Sequence, residues 1–166
     1  MSRSRLCRLV FGVFALLAAP CAVSAEGLQG IQTFQLFATG FEKQASQACG
    51  LQADEMKAAF LAPLEAAGVE MAVSSEGYWV ALQVTTALRQ PATCATFIDA
   101  SVLQTTQYYD KSADKERQGK VLLWTHGELV LSDRGEHSAV VHDVFRDLGH
   151  DLTTAWRATS EAGETN

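Results

Sequence analysis

His126 and Glu128 stand two residues apart in Lys120–Ser132, a stretch rich in apolar and β-branched residues. On a strand that spacing puts both side chains on one face, together with Trp124. A carboxylate beside an imidazole is the arrangement of an oriented general base, so a hydrolase-like enzyme using His126 and Glu128 is one reading of this chain. The competing reading is a solvated strand face with polar neighbours. No motif places a nucleophile nearby, and the sequence therefore assigns no catalytic residue.

Three further histidines, His137, His142 and His150, fall on or near the last helical segment. His142 and His150 are eight apart, whereas a helical metal grip uses two residues four apart. All three read as parts of a solvated polar face, with His142 in reach of Arg146 and Asp147 beside Asp151. Asp133, Ser138 and His142 are triad residue types without the strand-turn-helix elbow that would present a nucleophile. The chain has no phosphate loop, dinucleotide fingerprint or calcium loop. No metal and no cofactor is implied.

The cysteines depend on the compartment, and the N-terminus names one. Arg3, Arg5 and Arg8 precede an apolar run from Leu9 to Ala19, Pro20 breaks it, and Val23-Ser24-Ala25 supplies small residues before Glu26. That is the layout of a secretory signal peptide over residues 1–25, cleaved after Ala25. The apolar run is short for a helix that must cross about 30 Å of hydrocarbon. Pro20 also stands where a lipoprotein signal would carry a small residue before Cys21. Cleavage removes Cys7 and Cys21. Cys49 and Cys94 remain, an even pair in an oxidising compartment, and read as one disulfide. Their wide separation does not suit a redox pair, and no histidine lies near either for zinc.

Processing also sharpens the charge. Three of 13 basic residues leave with the leader and none of the 19 acidic ones, so ten face nineteen, a net charge of −9. Such a surface is a poor match for nucleic acid or an anionic membrane surface, which need clustered Lys and Arg. With no second long apolar segment, no stable membrane insertion is expected after cleavage. The location expected is periplasmic or secreted.

The elements that would position these residues follow from periodicity. Ile31–Phe41 reads as a strand and Glu42–Gly50 as a loop. Leu51–Ala67 carries Met56, Phe60 and Leu64 at four-residue steps, the stripe of a helix, with Gly68 as its C-cap and a kink, or a helix in two parts, expected at Pro63. Gly77–Leu88 alternates most clearly, with Tyr78, Val80, Leu82 and Val84 toward a core. Thr96–Tyr109 and Lys120–Ser132 read as strands joined by a charged hairpin loop, and Gly127 as the site of a bulge. Glu136–Ala158 has the 3.6-residue pattern of a closing helix. Residues 159–166 read as a disordered tail, which leaves 26–158 as a single domain.

The order β-α-β-β-β-α gives an α+β, two-layer domain: a four-stranded mixed sheet with two helices on one face. The first two strands are expected to be parallel and the hairpins antiparallel. In this topology Cys49 and Cys94 belong at one end of the sheet. Trp79, Phe97, Leu103, Leu122, Trp124 and Val130 fall on the face away from the helices and form the candidate partner face.

Across Ile31 to Trp156 this arrangement resembles small exported bacterial envelope domains, such as the N-terminal domain of the translocation protein TolB and the lipopolysaccharide-assembly lipoprotein LptE. The resemblance is of architecture, without a shared motif, and the absent lipobox departs from the lipoprotein. It implies an adaptor role without catalysis. The function expected is a non-enzymatic interaction domain that docks an envelope protein through its sheet face or an edge strand. The sheet also offers a surface for a homodimer. A periplasmic carrier holding a small apolar ligand between sheet and helices is the alternative.

Overall fold

The computed structural model describes residues 25–28, 30–72, 77–89 and 92–163. The leader through Ser24, with Cys7 and Cys21, lies outside the described residues. The elements, in chain order, are β1 (Thr33–Thr39), α1 (Gln44–Ala48), α2 (Ala53–Ala66), β2 (Glu70–Met71), β3 (Tyr78–Arg89), β4 (Thr93–Asp110), β5 (Lys115–Asp133) and α3 (His137–Gly163). A 3-10 turn, Ala25–Leu28, precedes them.

The alternation in β3 does what its pattern requires: Val80, Leu82 and Val84 are buried while Gln83 and Thr85 are exposed. β3 pairs antiparallel with β4 from Tyr78↔Gln104 to Arg89↔Thr93, and β4 pairs antiparallel with β5. On its other side β3 pairs parallel with β1, from Gln35↔Trp79 to Thr39↔Gln83. Among the described residues the sheet is mixed, with five strands in the order β2-β1-β3-β4-β5.

The α+β class agrees with the sequence expectation, and the element count differs. β2 is a fifth strand, parallel to β1, and α1 lies in the segment expected to be loop. Neither is long enough to show a period: two residues cannot alternate, and a five-residue helix has little more than one turn. β5 also begins at Lys115, so half of the expected hairpin loop, Lys111–Gln118, is strand.

α2 buries Met56, Ala59, Phe60, Pro63 and Leu64. It is one helix through Pro63, not the helix in two parts that the proline also allows. Gly68 adopts φ +83 and Val69 donates to the Leu64 carbonyl at 3.0 Å, which makes the glycine C-cap. α3 lays Val141, Phe145, Leu148 and Leu152 on the same core. It continues to Gly163 and buries Thr159, so the helix occupies part of the segment expected to be a disordered tail. Trp156 Nε1 donates to the Ile31 carbonyl at 2.8 Å and ties the helix to the entry of β1. No helix of the described residues is long and apolar enough to cross a membrane.

Cys49, which caps α1, is bonded to Cys94 on β4 with 6.0 Å between their Cα atoms. The bond fastens the connection between β1 and α2 to one end of the sheet, at the start of β4. Both cysteines are buried.

One irregularity decides which side chains face outward. Val102 lies opposite Trp124, whereas Leu103 lies opposite Leu122, so Leu123 is an extra residue on β5. Side chains alternate with period two, so one extra residue exchanges the two faces. Before the bulge Leu122 points away from the helices. After it Trp124, His126, Glu128 and Val130 point toward them. The bulge therefore sits at Leu123 and not at Gly127. Gly127 instead makes room for a ring, since a Cβ there would lie 3.1 Å from Phe97.

Candidate functional site: the open face of the sheet

Among the described residues, the helices cover one side of the sheet and leave the other bare. On the bare side stand Phe37 from β1, Phe97 from β4, and Leu122, Leu129 and Leu131 from β5, each between 46% and 61% exposed. Phe97 and Leu129 are register partners, and Ala95 faces Leu131, which makes one apolar block at the disulfide end. A second block lies toward the hairpin, where Trp79, Leu103 and Leu122 stand opposite one another on three adjacent strands. Lys120 places its ammonium 5.1 Å from the Trp79 ring centre. The Trp79 indole N–H is buried without a hydrogen-bond partner.

A polar island separates the blocks. The Ser101 hydroxyl donates to Asp99 Oδ2 at 2.9 Å, and Thr125 donates to Asp99 Oδ1 at 3.2 Å. Both carboxylate oxygens are thus occupied from within the sheet, and the island presents fixed dipoles at its centre.

Four of the six residues expected on this face are there: Trp79, Phe97, Leu103 and Leu122. Trp124 and Val130 are not. They turn inward and are 7% and 6% exposed. The reason is the extra Leu123, which reverses the parity of the strand after Leu122. The same reversal brings out Leu129 and Leu131, which straight alternation assigns to the core. The hint in the sequence is Val121-Leu122-Leu123-Trp124, four consecutive apolar residues that interrupt the alternation as a bulge does, though a strand apolar on both faces reads the same.

His126 and Glu128 are brought together, with an additional partner. His126 Nε2 lies 3.4 Å from Glu128 and Nδ1 lies 3.0 Å from Asp151 on α3. Both ring nitrogens therefore face carboxylates, and the imidazole serves as a half-exposed clasp between β5 and α3. His142 pairs with Asp143 on its own helix, as Arg146 does. Among the described residues, no group of three His, Cys, Asp or Glu is arranged to hold a metal ion.

His137 departs from its expected place on a solvated polar face. It is fully buried at the start of α3, with Nε2 at 2.7 Å from Thr96 Oγ1 and Nδ1 at 2.7 Å from Ser132 Oγ. Thr96 in turn meets Thr86 at 3.1 Å, Thr86 meets Ser46 at 3.1 Å, and Ser46 donates to the Gly40 carbonyl at 2.8 Å. Burial lowers the pKa of His137 from its ordinary value. This chain of hydroxyls joins the turn after β1 to α1, β3, β4, β5 and α3 at the disulfide end of the sheet.

A depression of about 400 Å³ opens between the end of β1 and the start of α2, lined by Phe41, Glu42, Gln47, Leu51 and Asp54 among others. It lies beside the core rather than within it. Between sheet and helices, where an apolar ligand was the alternative expectation, Phe34, Met56, Phe60, Leu64 and Phe145 form one buried cluster.

No protein-family model matches this chain, and no curated protein matches it. Two solved structures are similar in chain path. A minor lipoprotein from Acinetobacter baumannii shares 14% identity, with 77% of this chain and 92% of that chain covered and a TM-score of 0.38. A PelC dodecamer from Paraburkholderia phytofirmans shares 10% identity, with 75% of this chain and 87% of that chain covered and a TM-score of 0.45. The resemblance to these proteins is one of architecture, and a loose one.

Proposed function

We propose that this chain is an exported, non-enzymatic interaction domain of the cell envelope that binds a partner protein through the open face of its sheet. The observation that carries the reading is the exposure of Phe37, Phe97, Leu122, Leu129 and Leu131 on a face that no helix of the described residues covers. Large apolar patches on soluble domains mark partner sites. The Cys49–Cys94 bond supports export, because such bonds persist in oxidising compartments. The acidic balance of the processed chain favours a partner whose apolar contact is ringed by neutral or basic residues.

The test is site-specific photocrosslinking in intact envelopes. A photoreactive phenylalanine analogue at Phe97 should capture a defined envelope protein, and the same analogue at Asp143, on the helical side, should not. Leu129→Asp should abolish the Phe97 adduct. Capture of equal strength from both positions, or from neither, would sink the reading. A carrier role would show instead as an apolar small molecule that co-purifies and is displaced by changes around the core.

A further inference from the structure

The β4–β5 hairpin outruns the sheet. β3 begins at Tyr78, opposite Gln104, but β4 and β5 go on pairing through six more rungs, from Thr105↔Lys120 to Asp110↔Lys115. Among the described residues, this arm is two strands wide. β5 is the last strand of the sheet, so its outer edge is free of strand partners along the arm. A two-stranded ribbon is marginal in water by itself and gains most from further strands. A free edge is also a template for strand addition.

We propose that the arm pairs with the arm of a second copy of this chain, β5 against β5, antiparallel about a two-fold axis at Gln118, to make a four-stranded intermolecular sheet. This edge adjoins the open face, with which it shares Lys120, and does not depend on the partner read there.

Charge selects both the occupant and the register. An antiparallel two-fold pairing keeps each side chain opposite one on the same side of the sheet, so allowed registers differ by single-residue shifts of the centre. Glu116 and Lys120 lie on one side of the ribbon and are both exposed. Centred on Gln118, Glu116 of each copy stands opposite Lys120 of the other, twice over. Lys115 then meets Val121, and Arg117 meets Gly119, where no Cβ crowds it. A centre at Glu116, Arg117 or Lys120 sets that charge against its own copy. A centre at Gly119 joins no opposite charges. Gln118 is thus the centre within the arm that couples unlike charges and opposes no like ones. The edge strand is its own complement.

Gln118 faces Gln118 at that centre, and directly opposed residues in an antiparallel pair are about 4.5–5.5 Å apart at Cα, within the span of a disulfide. The full chain should therefore be expressed for export and its mass measured in solution over a range of concentrations. A dimer is expected, and Gln118→Cys should oxidise to a covalent dimer, while Lys111→Cys in the hairpin turn should not. Glu116→Lys and Lys120→Glu should each weaken association by about tenfold, and the double exchange should restore it. A chain that stays monomeric at all concentrations overturns the proposal. So does a dimer that ignores both charge reversals, or a Gln118→Cys variant whose new thiol couples only to a different protein. Leu129→Asp should leave the dimer intact, which separates this interface from the open-face reading.

Discussion

Thr96 and His137 meet at 2.7 Å inside the protein, a hydroxyl on the middle of the sheet against the imidazole of the first residue of α3. The contact lies two residues along β4 from Cys94, and Ser132, which holds the other ring nitrogen, stands opposite Cys94. Covalent and hydrogen-bonded ties thus converge at one end of the domain.

A neutral, buried His137 makes stability depend on pH. Its folded-state pKa is lowered by burial from the ordinary 6.5. Below that value the unfolded chain binds the proton more readily than the folded one. Stability should therefore be level above about pH 6.5 and decline as the pH falls below it, down to the folded-state pKa. Urea unfolding between pH 7.5 and pH 5 checks the slope. His137→Phe should flatten its histidine component and cost about 1–3 kcal/mol, because Thr96 and Ser132 lose a buried partner. An unchanged slope in the variant would show that another group sets it.

Reduction should loosen this end of the domain. The Cys49–Cys94 bond closes a loop with a sequence separation of 45. The chain-entropy estimate for a loop of that size is about 4 kcal/mol, an upper figure. Cys49→Ala with Cys94→Ala should lower the denaturation midpoint accordingly. The same midpoint for oxidised and doubly substituted protein would mean the bond adds nothing.

Gly149 sets the distance between α3 and α2. A Cβ there would overlap the Phe60 carbonyl oxygen and lie 3.2 Å from Pro63 Cγ. Gly149→Ala would gain helix propensity, by about 1 kcal/mol, at an open site. Here it should destabilise by about 1–3 kcal/mol, since two packed helices must separate. Thermal unfolding measures the sign, and a more stable Gly149→Ala would refute the close approach.

Trp124 and Leu129 should behave as opposites. Trp124 is 7% exposed and belongs to the core, so Trp124→Ala should cost about 3–5 kcal/mol. Leu129 is 61% exposed, and Leu129→Asp should change stability by less than about 1 kcal/mol. Its effect should appear in partner capture alone. Denaturant midpoints for the two variants settle which residue faces the helices.

Much of the frame was legible because it repeats. Val80, Leu82 and Val84 alternate, and Met56, Phe60 and Leu64 recur every fourth residue, so burial follows from spacing alone. The candidate face was legible only as far as Leu122. Beyond it a single unpaired residue, Leu123, reverses every assignment, and whether a strand carries a bulge depends on how its neighbour pairs. β2 and α1 were hidden by their shortness. His137 was hidden because a histidine four residues before an apolar stripe looks the same whether its ring meets water or Thr96 and Ser132.

The amino-acid sequence by itself determined what is local or compositional. It set the acidic balance, the α+β order, the parallel β1–β3 pairing expected across α2, and the two cysteines that an oxidising compartment joins. Tertiary structure alone decided what depends on an opposite strand or a packed helix. It turned Trp124 inward and Leu129 outward, and held His126 between Glu128 and Asp151. Periodicity reports how a residue relates to its own element. Which face is covered, and which hydroxyl finds which imidazole, is settled only when the elements meet.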